Sequence, residues 1–176
     1  MNPNRCPKMY LMVGLPRSGK STWINANKKN LNAIVLSNDW VRENILHAEH
    51  SKSNDPAIWM LVDGCARILL SQKQNVIIDG IHLTKSIRKF FIQMARECGA
   101  NVVIVWIDTP LQECLRRNQF DHKLPDETLH KMYEEMETPQ PSEYDRLIYE
   151  KYYDIVVGHG HVIRTQAGAV NEVASA

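Results

Sequence analysis

Five short apolar runs, set apart by stretches with a helical period, outline the chain. They are Met9-Tyr10-Leu11-Met12-Val13, Ala33-Ile34-Val35-Leu36-Ser37, Asn75-Val76-Ile77-Ile78-Asp79, Val102-Val103-Ile104-Val105-Trp106-Ile107 and Tyr153-Asp154-Ile155-Val156-Val157. Such near-continuous runs read as strands covered on both faces. A helix is expected from Ser21 to about Ala26, failing in Asn27-Lys28-Lys29-Asn30. Ser37 or Asn38 caps a second helix that runs to about Leu46. Asp55-Pro56 opens a third, with Ile58, Leu61, Val62, Cys65 and Leu69 at helical spacing. Thr84 caps a fourth, whose stripe is Ile87, Phe90, Phe91, Met94, Ala95 and Cys98, and Gly99 closes it. Thr109-Pro110-Leu111-Gln112 has the spacing of a capping box and opens a helix carrying Leu111, Leu115, Arg116 and Arg117. After a polar segment, 118–125, a last helix spans 126–136, with Leu129, Met132, Tyr133 and Met136 on one face. Trp23, Trp106, Cys65 and Cys98 read as core positions.

Strands alternating with helices predict an α/β fold, a five-stranded parallel sheet with helices on both faces. The expected domain spans 9–165, after an arm (1–8) and before a polar, disordered tail (166–176). The run His161-Val162-Ile163-Arg164 reads as a short edge strand.

Composition narrows the classes of function. The net charge of +1 over 176 residues gives no whole-surface attraction for nucleic acid, so any such contact is a local patch. No apolar stretch approaches 18 residues, and residues 1–8 lack the apolar centre of a signal peptide. Neither a membrane span nor secretion is expected. Cys6, Cys65, Cys98 and Cys114 are scattered without a C-x-x-C pair, which suits reduced thiols in a cytoplasmic protein. His159-Gly160-His161 lacks the third ligand a metal site would need.

The chemistry starts at Gly14-Leu15-Pro16-Arg17-Ser18-Gly19-Lys20-Ser21, a G-x-x-x-x-G-K-S phosphate-binding loop between a strand and a helix. Its glycines let the backbone wrap an anion, and its N–H groups converge at a helix N-terminus. Lys20 is expected at the β- and γ-phosphates, and the Ser21 hydroxyl on Mg²⁺. Thr22 closes the set of nucleotide-binding residues.

In a parallel sheet the ligand lies beyond the carboxyl ends of the strands. The phosphate loop, Ser37-Asn38-Asp39, Asp79 and Asp108 all fall at such ends. Asp79 should meet the loop, which predicts strand three beside strand one. Asp39 has two readings: acceptor of a hydroxyl proton, or a helix N-terminal acid stabilised by the dipole. Arg42, one turn on, pairs with Asp39, holds an anionic acceptor group, or is a surface arginine. Asp79 orients Arg42, holds a water on Mg²⁺, or caps the next loop. Asp108 reads as a cap. Arg116 and Arg117 precede a lid-like segment, about 116–136, where a guanidinium can clamp a transferring phosphate, or else form a solvated helix face. Tyr149, Tyr152 and Tyr153 either pack or stack on bases.

Taken together, Gly14 to Thr22, Ser37-Asn38-Asp39-x-x-Arg42, Ile78-Asp79-Gly80-Ile81-His82-Leu83-Thr84 and Asp108-Thr109-Pro110 followed by Leu115-Arg116-Arg117-Asn118 and Pro125 resemble the P-loop family of polynucleotide 5′-hydroxyl kinases. The same group includes zeta-toxin-like kinases and kinases of aminoacylated tRNA. The resemblance covers roughly 8–157. It implies Asp39 as general base, Arg42 on an acceptor phosphate and Asp79 supporting that arginine. It places His82 with Arg42 and Asp79 on the acceptor side, and Asp79 with Ser21 near the metal. It implies Lys20, Arg116 and Arg117 over the donor phosphates. Departures are Arg17 where the family has a small residue, Gly80-Ile81-His82 where it often has x-T-N after the aspartate, and only His122 and Lys123 where the lid usually carries another arginine. The function implied is ATP- and Mg²⁺-dependent phosphorylation of a hydroxyl, first of all a polynucleotide 5′-hydroxyl. The alternatives are a small-molecule or tRNA-linked hydroxyl, or a nucleotide-binding regulator or slow ATPase with no acceptor.

Overall fold

The computed structural model describes residues 6–47, 55–120, 124–152 and 172–173. In chain order the elements are β1 (Lys8–Val13), α1 (Lys20–Asn27), β2 (Ala33–Ser37), α2 (Asn38–Asn44), α3 (Asp55–Ser71), β3 (Asn75–Asp79), α4 (Lys85–Glu97), β4 (Asn101–Asp108), α5 (Leu111–Asn118), α6 (Asp126–Glu134), a 3-10 turn (Pro141–Glu143), β5 (Arg146–Lys151) and β6 (Glu172–Val173). The sheet order is β2-β3-β1-β4-β5-β6. All pairings are parallel except β5 with β6. β3 does lie beside β1, in the register Leu11 to Ile78.

Alternation along the central strands divides the core in two. Met9, Leu11 and Val13 of β1, with Val76, Ile78, Val102 and Ile104, face α3 and α4. Tyr10, Met12, Ile77, Val103, Val105 and Ile107 face the side of α1, where Ile24 packs. Each such side chain, fully buried, stabilises by about 1.5–3 kcal/mol. A smaller cluster of Leu15, Leu83 and Cys114, flanked by Leu111, Met132 and Met136, seats the phosphate loop on α5 and α6.

Thr84 caps α4 through Ile87 N–H, and Gly99 leaves it at φ 65°. Ser37, not Asn38, caps α2, accepting Trp40 N–H at 3.3 Å. Arg88 is fully buried: Nε and Nη2 donate to Glu143, and Nη1 donates to the carbonyls of Leu83 and Glu137. This cluster fixes the approach to β5. No helix among the described residues is long and apolar enough to cross a membrane.

Several expectations shift. The fifth strand is Arg146–Lys151, earlier than the 153–157 run, which lies outside the described residues with the 161–164 strand. β5 has only Ile148 fully buried, so its polar composition hid it. β6 falls within the segment expected to be a disordered tail. α3 buries Ile58, Val62, Ala66 and Leu70, which turns Cys65 out to solvent, and Cys98 is half-buried. α6 ends at Glu134, two residues early.

Candidate active site

The phosphate loop needs positive φ at three positions: Gly14 (147°), Arg17 (68°) and Gly19 (107°). A Cβ on Gly14 would stand 2.6 Å from the Ile107 carbonyl, so no larger residue fits against β4 there. Arg17 is the unusual member, an arginine in a left-handed conformation. Lys20 Nζ donates to the carbonyls of Gly14 (3.0 Å) and Leu15 (2.7 Å), curling the loop round its own ammonium. Burial lowers the Lys20 pKa to about 8, against the pull of Asp79, Cys114 and Asp39.

Two side chains after β4 hold the loop from outside. Thr109 Oγ1 donates to the Ser18 carbonyl at 2.7 Å. This corrects its expected role as a helix cap: Pro110 occupies the cap position of α5, and the hydroxyl serves the loop instead. Arg117 Nη1 donates to the Arg17 carbonyl at 2.9 Å and Nε to Glu113 at 2.7 Å, with the guanidinium 5.3 Å above the Tyr152 ring. Arg116 does not join it. Arg116 grips Glu113 with Nε and Nη2, approaches Phe120, and its side chain is 60% exposed. Hydrogen bonds from Arg116 and then Arg117 hold the Glu113 carboxyl down to about 2. Asp108, expected as a cap, accepts the Tyr149 hydroxyl at 2.5 Å. Tyr153 lies outside the described residues.

The acids gather on the other side of the loop. Ser37 and Asp79 are register partners at the ends of β2 and β3, and the Ser37 cap puts Asp39 in the first turn of α2. Asp39 Oδ1 meets Arg42 Nη1 at 2.5 Å, with Asp39 71% and Arg42 11% exposed. Burial raises the Asp79 pKa; Lys20 opposes this and Asp39 adds to it. Lys20, Asp39 and Asp79 thus lie within one another's fields.

His82 is placed elsewhere. It is 3% exposed, at φ 41°, and its ring stands edge-on to Phe91 at 4.9 Å. Nδ1 lies 2.8 Å from the Met12 carbonyl, so that nitrogen carries the proton and donates. Burial lowers its pKa to about 4. The segment after β3 turns beneath the phosphate loop, where Gly14 N–H donates to the Ile81 carbonyl, rather than out towards an acceptor.

A cavity of about 620 Å³ runs along α1, lined by the loop from Arg17 to Thr22, by Trp23 and Asn27, and by Arg117 and Glu150 opposite. Gly14, Leu15 and Pro16 do not line it; Leu15 is buried beneath the loop. Ser21 lines the cavity next to Lys20, and the Asp79 carboxylate acts on the Lys20 ammonium. This oxygen donor set fits Mg²⁺, which takes one or two protein oxygens and completes its shell with phosphates and water. Among the described residues no group of three His, Cys, Asp or Glu forms a metal site of its own. Trp23, expected in the core, packs half-buried against it and also walls the cavity, donating Nε1 to Glu150 at 3.3 Å. Trp23, Asn27, Glu150 and Thr109 are the site residues missed by sequence reasoning.

Residues 9–139 match the AAA domain family. The L-seryl-tRNA(Sec) kinase of Methanococcus maripaludis is 31% identical over 137 residues, which is 74% of this chain and 53% of that protein. The chain therefore spans about half the length of this curated relative. Among solved structures, a chain of the Pnkp1/Rnl/Hen1 RNA repair complex is similar at TM-score 0.66 and 22% identity, over 76% of this chain and 45% of that one. The Mycobacterium tuberculosis APS kinase CysC, in complex with AMPPNP and APS, is similar at TM-score 0.62 and 20% identity, over 82% and 88%. The architecture is the P-loop kinase fold.

Proposed function

The chain belongs to the AAA domain family, and from that premise we propose that it is an ATP- and Mg²⁺-dependent phosphotransferase that moves the γ-phosphate onto a hydroxyl, first of all a polynucleotide 5′-hydroxyl. The observation that carries this reading is the Asp39–Arg42 pair, an exposed carboxylate on a buried guanidinium beside the lysine of a phosphate loop.

Each group then has a role. The loop N–H groups and Lys20 bind the donor phosphates. Arg117, held on Glu113 and Tyr152, keeps the Arg17 peptide in place and offers positive charge at the cavity wall. Ser21 would hold Mg²⁺, which would supply neutralisation of the phosphate charge. Asp39 meets the buried Arg42 guanidinium from the solvent side, so an anionic group of the acceptor can take its place there and keep that charge paired. The released Asp39 carboxylate is then open to take the acceptor's hydroxyl proton as the new P–O bond forms. An acceptor with a phosphate next to its hydroxyl, such as a nucleic-acid end, engages both residues.

A second reading, a hydroxyl carried on an aminoacylated tRNA, is favoured by the 31% identity to the seryl-tRNA(Sec) kinase. An acceptor screen with γ-labelled ATP tests both. It compares 5′-hydroxyl DNA and RNA, aminoacylated tRNA and small alcohols. Label in one polymer class selects its reading. Release of label as free phosphate with every acceptor points to a regulator or slow ATPase.

A further inference from the structure

The end of the cavity remote from Lys20 is built differently from the phosphate end. Helix α1 rises 1.5 Å per residue, so Asn27 lies about 10 Å along the wall from Lys20. Trp23, Ala26 and Asn27 line the cavity along α1, and Glu150, the register partner of Ile107 on β5, meets the Trp23 indole across it. Ala26 and Ile107 are apolar. The polar groups are already joined to one another: Trp23 Nε1 donates to Glu150 Oε1 at 3.3 Å, and Asn27 Nδ2 donates to the Trp23 carbonyl at 2.9 Å. These bonds engage the indole N–H and the Asn27 amide nitrogen. Two oxygens, Glu150 Oε2 and Asn27 Oδ1, make no hydrogen bond with the described residues. A wall so arranged accepts N–H groups and repels carbonyl oxygens.

We propose that Glu150, oriented by the Trp23 indole, is the base-reading residue of the nucleotide site and accepts a hydrogen bond from the exocyclic amino group of a purine. The inference rests on the phosphotransfer reading to the extent that the cavity holds a nucleotide. Adenine and guanine both carry such a group. Hypoxanthine does not, and it presents a carbonyl at position 6. The Trp23–Glu150 bond joins α1, which carries the phosphate-binding lysine, to β5, so base and phosphates are read by elements tied together.

Calorimetric titration of ATP, GTP, ITP and tripolyphosphate tests this. Wild-type protein binds ITP about tenfold more weakly than the better of ATP and GTP, the effect of one hydrogen bond to a charged group. Glu150→Gln keeps an oxygen for the Trp23 indole but turns an N–H towards the base, so the ITP penalty falls to about twofold or reverses. Trp23→Phe keeps the aromatic surface and lets Glu150 move, weakening the preferred purine more than ITP. Tripolyphosphate binds wild type and Glu150→Gln alike. Equal binding of ITP and the better purine by wild type, or an ITP penalty unchanged in Glu150→Gln, overturns the proposal and leaves the phosphotransfer reading standing. Failure of all four probes to bind overturns both.

Discussion

Arg117 on α5 donates to the backbone carbonyl of Arg17, joining the helix after β4 to the phosphate loop across 100 residues of sequence. Its neighbour Arg116 has the same charge but grips Glu113, approaches Phe120 and is 60% exposed. Arg117→Ala removes both the tie to the loop and a cation at the cavity wall. It should lower kcat by about 10²-fold, in the range seen for loss of one transition-state donor. Arg116→Ala should change kcat less than about twofold. Steady-state phosphate transfer measures both, and equal losses would contradict the division of roles.

Lys20→Ala should abolish turnover, and near-normal turnover would sink the phosphate-loop assignment. A finer prediction follows from the Lys20 pKa, held near 8 by burial. Beside a polyphosphate the ammonium regains its ordinary value or more, so the bound state holds a proton that the free state loses above pH 8. Nucleotide affinity should be flat below pH 8 and weaken above it, approaching tenfold per pH unit. Calorimetry near pH 9 in buffers of different ionisation enthalpy should show uptake of close to one proton. The Lys20 assignment fails if no proton is taken up.

Asp39→Asn keeps the size of the side chain and a contact for Arg42 but removes the proton acceptor. It should cost about 10²–10⁴ in turnover while sparing ATP binding. Arg42→Ala should raise the KM for a phosphorylated acceptor far more than the KM for ATP. Retained activity in Asp39→Asn would remove the general base. Equal effects on the two KM values would move Arg42 away from the acceptor.

The sheet was legible because its central strands are apolar on both faces, and β1 to β4 lie close to where the pattern predicts them. β5 was not, since a strand with one fully buried residue carries little hydrophobic signal. The phosphate loop and the Asp39–Arg42 pair were legible because motif and helical spacing are local properties. Thr109, Glu150 and His82 were not. The partners of their side chains, Ser18, Trp23 and Met12, lie 91, 127 and 70 residues away, and no local pattern encodes such a bond. The departure at Arg17 has no structural explanation: its backbone occupies a left-handed position, and the group that Arg117 binds there is a backbone carbonyl.

His82 makes acid stability a test of the fold beneath the site. Its folded pKa, lowered to about 4 by burial, lies below the 6.5 of an ordinary histidine. Between those values the unfolded chain binds a proton that the folded chain excludes. Stability therefore rises with pH across the window and is lost as pH falls from about 6.5 towards 4, by up to about 3 kcal/mol. From pH 7 to pH 5 the loss from this group should be about 2 kcal/mol. His82→Gln offers Met12 an N–H donor and takes up no proton, so its stability should fall less over the same interval. Urea unfolding at pH 7 and pH 5 gives the comparison, in which each protein is measured against itself and any constant cost of the substitution cancels. Equal losses in the two proteins would mean that burial does not hold His82 neutral in the folded chain.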